Sequence, residues 1–162
     1  MNVLKFGGTS VGSAENIKKV IEIVKSASEN DHVVVVVSAV GGITDKLMRA
    51  SQKAIENDLN YKSDFDKLKQ QHVDIMEGLL SGSTFTDTKD VILEKLSELE
   101  RLLDGIFLIN ELSPKTTDKL LSFGELMSSL IIFEAMQEQG RGRGESELKD
   151  LMLIPAEFSM KN

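Results

Sequence analysis

Apolar residues occur in two short blocks too dense for an amphipathic helix. Val3, Leu4 and Phe6 form the first, which stops at Gly7-Gly8. Val33 to Val37 form the second, which runs into Ser38-Ala39-Val40-Gly41-Gly42. Short runs of this kind predict strands over Asn2–Phe6 and Val33–Val37, buried on both faces. Between them Ile17, Val20, Ile21 and Val24 recur at helical spacing behind Ser13, a good N-cap. A helix is therefore expected from about Ala14 to Ser28, with Asn30-Asp31 as the following turn. Strand, glycine turn, helix and strand make a βαβ unit, so the strands should be parallel with a right-handed crossover.

The middle of the chain is patterned for helices. Thr44 is expected to cap one carrying Leu47, Ala50 and Ala54. Phe65, Leu68, His72, Ile75, Met76 and Leu79 mark a second, and Ser81 to Asp87 reads as a loop. Val91, Ile92, Leu96, Leu99, Leu103 and Ile106 mark a third, long helix. Ser113-Pro114 starts another, with the serine as cap and the proline in the first turn, where its missing N–H costs nothing. Leu120, Leu121, Leu126, Leu130 and Phe133 carry its apolar surface to about Gln139. From Asp64 onward these helices are expected to form an antiparallel bundle on a small α/β layer.

Beyond Gln139 the character changes. Gly140-Arg141-Gly142-Arg143-Gly144 reads as flexible and basic, and Leu151 to Ile154 as a short strand before Pro155. The chain thus divides into a unit over 1–139 and an atypical flexible tail over 140–162. Two clear strands are too few for a finished sheet. Either another chain completes it or the sequence is part of a longer one, and the open edge invites a homo-oligomer.

Composition narrows the function classes. The 162 residues carry a formal charge of −7, with 41% hydrophobic and 28% charged residues. An acidic chain repels nucleic acid and anionic lipid, so neither is expected as a partner. The longest uninterrupted apolar run, Val33 to Val37, is too short for a membrane span, and no signal peptide is visible. Cysteine is absent, which removes disulfides and thiolate chemistry and fits a cytoplasmic protein. The two histidines are isolated, His32 in a turn and His72 on an apolar stripe, so no metal site is expected.

Three clusters could carry chemistry. Lys5 with Gly7, Gly8, Thr9 and Ser10 follows a strand, where glycines let the backbone approach a phosphate and its N–H groups face an anion. This is not a Walker loop, and a plain strand-to-helix turn is as good a reading on spacing alone. Ser38 and Thr44 flank a second glycine turn at the same carboxyl edge, where α/β folds place ligands. They could bind a small polar substrate, although Thr44 could equally be a simple cap. In Ser122-Phe123-Gly124-Glu125 a glycine interrupts a helical stretch at a cost of roughly 1 kcal/mol. Glu125 could hold a cationic group there, or it could be a solvated glutamate.

Taken together, the clusters resemble the aspartate kinase family. Lys5-Phe6-Gly7-Gly8-Thr9-Ser10-Val11 looks like the family's opening signature. Ser38 to Thr44 is similar to its second motif, and Ser122-Phe123-Gly124-Glu125-Leu126-Met127-Ser128 to its third, over roughly Met1 to Gln139. The resemblance implies the N-terminal portion of an α/β amino-acid kinase (carbamate kinase-like) fold, with a small parallel sheet and a large helical insert. It also implies the activity: ATP, with Mg²⁺, phosphorylating the side-chain carboxylate of L-aspartate, the first step toward lysine, threonine and methionine. Lys5 would be catalytic and would contact the ATP phosphates, cradled by Gly7, Gly8, Thr9 and Ser10. Ser38, Thr44 and Glu125 would bind aspartate. The family's glycine-arginine-glycine-glycine-serine-aspartate motif and its ACT domains are not present. The 162-residue chain is therefore expected to be inactive or nearly so alone. Ile106 to Leu121 and Glu147 to Phe158 lean toward the bifunctional branch fused to homoserine dehydrogenase. Two other readings remain: a kinase of another small acid, and a non-catalytic relic or assembly module.

Overall fold

The computed structural model describes residues 1–29, 31–140 and 152–155. Strand β1 (Asn2–Phe6) leads through the first glycine turn to α1 (Ala14–Ser28) and β2 (Val33–Val37). Four helices follow, α2 (Ile43–Ile55), α3 (Tyr61–Leu79), α4 (Gly82–Ile109) and α5 (Pro114–Gly140), and then β3 (Met152–Pro155). The sheet order is β1-β2-β3, and both pairings are parallel. β3 falls where the short strand before Pro155 is expected. The arginine-glycine run over 141–144 lies outside the described residues.

β2 sits between two neighbours, and Val33, Val35, Val36 and Val37 are buried. Helix α1 packs on β1 and β2, and α5 packs on β2 and β3. Each buried valine contributes about 1.5–3 kcal/mol of hydrophobic stabilisation. β1 corrects the expectation of a strand buried on both faces. It is an edge strand, with Val3 61% exposed and Lys5 also facing solvent. A central position would be needed to bury both of its faces.

Local chemistry explains the helix starts. Ser13 caps α1, its Oγ accepting from the Asn16 N–H at 3.2 Å. Ser113 caps α5 by accepting from the Thr116 N–H at 3.1 Å, with Pro114 as first helical residue. Helix α2 departs from the reading. Its N-cap is Gly42, in the left-handed region at φ 79°, and Thr44 is an exposed residue of the first turn. Ser81 to Asp87 is not a loop, since α4 begins at Gly82. Half-burial of Phe85 and burial of Thr88 hold this polar stretch in helical form.

On α5 the buried face runs through Leu120, Phe123, Met127, Ile131, Ile132, Ala135 and Met136, while Leu126 and Leu130 are half-buried and Phe133 is exposed. The helix is apolar almost all round, so composition alone cannot phase it. Over a wide window it is long and apolar enough to cross a membrane, and 56% of that window is buried inside the fold. Here that apolar surface packs against α2, α4 and the sheet.

His72 is fully buried, as its stripe position implies. Its Nδ1 lies 2.9 Å from the Leu68 carbonyl, and Nε2 is buried without a partner. The ring is therefore neutral, with Nδ1–H donating. Burial is the main cause that holds its pKa below the ordinary 6.5. The unfolded chain then takes up a proton that the folded chain refuses. Stability is full above about pH 6.5 and falls below it, by up to about 1.4 kcal/mol per pH unit. Melting temperature should drop between pH 7.5 and pH 5.5, and His72→Leu should flatten that drop. An unchanged slope in the variant would rule out the histidine as its source.

Candidate active site

The parallel register brings the ends of β1 and β2 side by side. Phe6 pairs with Val37, and the Ser38 N–H donates to the Phe6 carbonyl at 3.1 Å. The two glycine turns that follow therefore leave the same carboxyl edge, where ligands bind in such sheets.

The turns touch backbone to backbone. A Cβ on Gly8 would sit 3.1 Å from the Ala39 carbonyl oxygen, and one on Gly41 would sit 3.0 Å from the Gly8 carbonyl oxygen. Gly12 joins them, since a Cβ there would lie 3.2 Å from the Gly8 carbonyl oxygen. A Cβ at any of the three would press on backbone atoms of this junction, which gives Gly8, Gly12 and Gly41 a steric reason to be glycine.

The first turn is folded by internal bonds. Ser10 and Val11 N–H groups both donate to the Gly7 carbonyl, and Gly12 N–H donates to the Thr9 carbonyl. Asn16 Nδ2 also donates to the Thr9 carbonyl, at 3.1 Å. Among the described residues the Gly8 and Thr9 N–H groups make no such bond. Lys5 lies exposed on the strand just before. Beside the turn a cavity of about 330 Å³ is lined by Phe6, Thr9, Ser10, Asn16 and Lys19 among others.

The second turn opens α2. Gly42 supplies no side-chain cap; the Ile43 N–H is taken by the Val40 carbonyl, which leaves the Thr44 and Asp45 N–H groups of the first turn available to an anion. Ser38 is half-buried, and Thr44 is exposed.

The third motif reaches the same place through Gly124. A Cβ there would lie 3.0 Å from Ala39 Cβ and 3.1 Å from Ile43 Cγ2. The mid-helix glycine is thus a close-approach position, where α5 lies against the second turn. Glu125, half-buried, is the next residue along. All three motif segments meet at one edge of the sheet.

A model of the amino acid kinase family matches residues 1–144. The chain belongs to the amino acid kinase family. Among its relatives, aspartokinase 1 of Arabidopsis thaliana is 38% identical over 80% of this chain and 22% of that protein. The aspartokinase of Candida albicans is 31% identical over 96% of this chain and 29% of its own length. Among solved structures, aspartokinase III of Escherichia coli in complex with aspartate and ADP superposes with a TM-score of 0.74 at 30% identity. That match covers 86% of this chain and 29% of the Escherichia coli chain. The chain thus spans less than a third of the length of these family members. The amino acid kinase fold and the resemblance to aspartate kinases are both confirmed.

Some features of this family member's site had no sequence signal. Asn16 and Gln71 bond to the two turns from outside the motifs. Among the described residues no group of three or more histidine or acidic side chains could hold a metal ion. Mg²⁺ that accompanies ATP is held largely by phosphate oxygens and water and does not require such a cluster.

Proposed function

We propose that this chain is the aspartate-binding and phosphate-cradling part of an aspartate kinase. The observation that carries this reading is the meeting of the two glycine turns with Gly124. It gathers groups suited to two anions at one edge. The free Gly8 and Thr9 amides, the neighbouring Gly7 and Ser10, and the Lys5 charge suit the phosphates of ATP. Ser38, Thr44 and the uncapped start of α2 suit the side-chain carboxylate of L-aspartate. Glu125, beside Gly124, suits its α-ammonium group.

The chemistry then needs few protein groups. The aspartate carboxylate has an ordinary pKa of about 4 and is ionised at neutral pH, so no general base is required. One of its oxygens attacks the γ-phosphorus, the bond to the β-phosphate oxygen breaks, and ADP leaves. The product is an acyl phosphate, 4-phospho-L-aspartate. What opposes the reaction is the approach of two anions. Lys5 and the turn amides offset that repulsion and stabilise charge on the moving phosphoryl group.

Calorimetry on the 162-residue chain tests this. L-Aspartate is expected to bind, with glutamate and other small acids weaker. Aspartate-dependent ADP release by this chain alone is expected at background. If no heat appears for aspartate or ATP, the non-catalytic module becomes the better reading. A tighter fit to another acid would move the assignment to a different acid kinase.

A further inference from the structure

Gln71 stands on α3, thirty residues from the second turn in sequence, yet its side chain reaches that turn. Its Nε2 donates to the Gly41 carbonyl at 3.0 Å. Its Oε1 accepts from Lys46 Nζ, in the first turns of α2, at 2.5 Å. A carbonyl can only accept and a lysine ammonium can only donate, so a primary amide is the side chain that satisfies both. Glutamate would set an acceptor against the Gly41 oxygen.

The bond has a consequence on the far side of the peptide. No cis peptide occurs among the described residues. In a planar trans peptide the C=O of Gly41 and the N–H of Gly42 point in opposite directions. Holding the Gly41 oxygen toward α3 therefore aims the Gly42 N–H away from α3. That N–H makes no hydrogen bond among the described residues. Gly42 itself is left-handed at φ 79°, which glycine adopts without strain. Among the described residues Gln71 is the group that bonds the Gly41 carbonyl, so the orientation of the Gly41–Gly42 peptide depends on it.

We propose that Gln71 is a positioning residue that locks the Gly41–Gly42 peptide so that the Gly42 N–H donates to a carboxylate of the bound amino acid. This rests on the aspartate-binding reading above. Lys46 orients the Gln71 amide, and the helical insert thereby acts on the site without touching substrate.

Backbone-amide NMR of the 162-residue chain tests the lock with and without L-aspartate. Gln71→Glu, which keeps the side-chain shape, should move the Gly42 and Ile43 amide resonances. Exchange of the Ile43 and Lys46 amides, which bond to the Val40 and Gly42 carbonyls, should quicken roughly three- to tenfold. Aspartate should bind three- to tenfold more weakly, on the order of one lost hydrogen bond. Lys46→Met, which keeps the Gly41 bond, should show smaller changes in both readouts. Unchanged exchange at Ile43 overturns the lock. Altered exchange with unchanged aspartate affinity overturns its role in binding. Uniformly faster exchange along all of α3 would reduce Gln71 to a packing residue and overturn both. If the unmodified chain binds no aspartate, the reading of the substrate fails, while the exchange comparison still decides the lock.

Discussion

Gly41→Val is expected to lose L-aspartate binding by about a hundredfold while keeping the helical content of the chain. A Cβ at this position would meet the Gly8 carbonyl oxygen at 3.0 Å, Gly12 Cα at 3.3 Å and the Gly8 carbonyl carbon at 3.6 Å. All three are backbone atoms, so no flexible side chain can yield. The two turns must separate, at the roughly 1–3 kcal/mol typical of overpacking. Because the first turn carries the proposed phosphate amides and the second the proposed aspartate groups, parting them spoils both. Gly105→Ala is the control. Its Cβ would meet nothing within 4 Å, and it sits in helix α4, where alanine is favoured by up to about 1 kcal/mol. Calorimetry and circular dichroism on the two variants should give opposite outcomes. Retained binding in Gly41→Val would show that the contact between the turns is incidental.

The second large effect concerns the insert. Asp64, in the first turn of α3, is buried, and its Oδ2 lies 2.8 Å from Lys53 Nζ on α2. Lys53 is the main cause that holds the Asp64 carboxyl below its ordinary range. The position at a helix N-terminus favours the anion as well. Asp64→Leu removes the partner of a lysine that is 29% exposed and so partly solvated, and should cost about 1–2 kcal/mol. For a chain of this size that is roughly 3–6 °C in melting temperature. Adding Lys53→Met should recover part of the loss, because two apolar groups are cheaper than one unpaired charge. Asp64 has a lowered pKa, so its stabilisation is present above its ordinary pKa of 3.8 and is lost as pH falls through the folded value. His72 acts in a higher window, which separates the two titrations.

How much of this could be read from the chain depends on how local each cause is. The bounds of α1 follow from Ser13 and the Ile17–Val24 stripe, and β2 from its valines, because cap and periodicity lie within one element. Gly8 and Gly41 announce close approach, but only the folded chain shows that they approach each other. The start of α4 carries the opposite local signal, because Ser-Gly-Ser-Thr favours turns, and the burial of Thr88 overrides that preference. The buried face of α5 has no signature in its sequence, because Leu126, Leu130 and Phe133 are as apolar as the residues that are buried. The exposure of β1 is a property of its edge position, which no residue in Asn2–Phe6 encodes. Gln71 has no signal at all, since its partner lies on another element and is a backbone atom.

The central claim is that the three motif segments form one binding site for an amino-acid carboxylate. Titrating L-aspartate into the ¹⁵N-labelled chain tests it most directly. Amide shifts are expected to cluster on Ser38 to Lys46 and Ser122 to Met127, with a second set on Gly7 to Gly12 when ATP is added. Shifts confined to the cleft between α4 and α5, near Asp87 and Glu134, or none at millimolar aspartate, would contradict it.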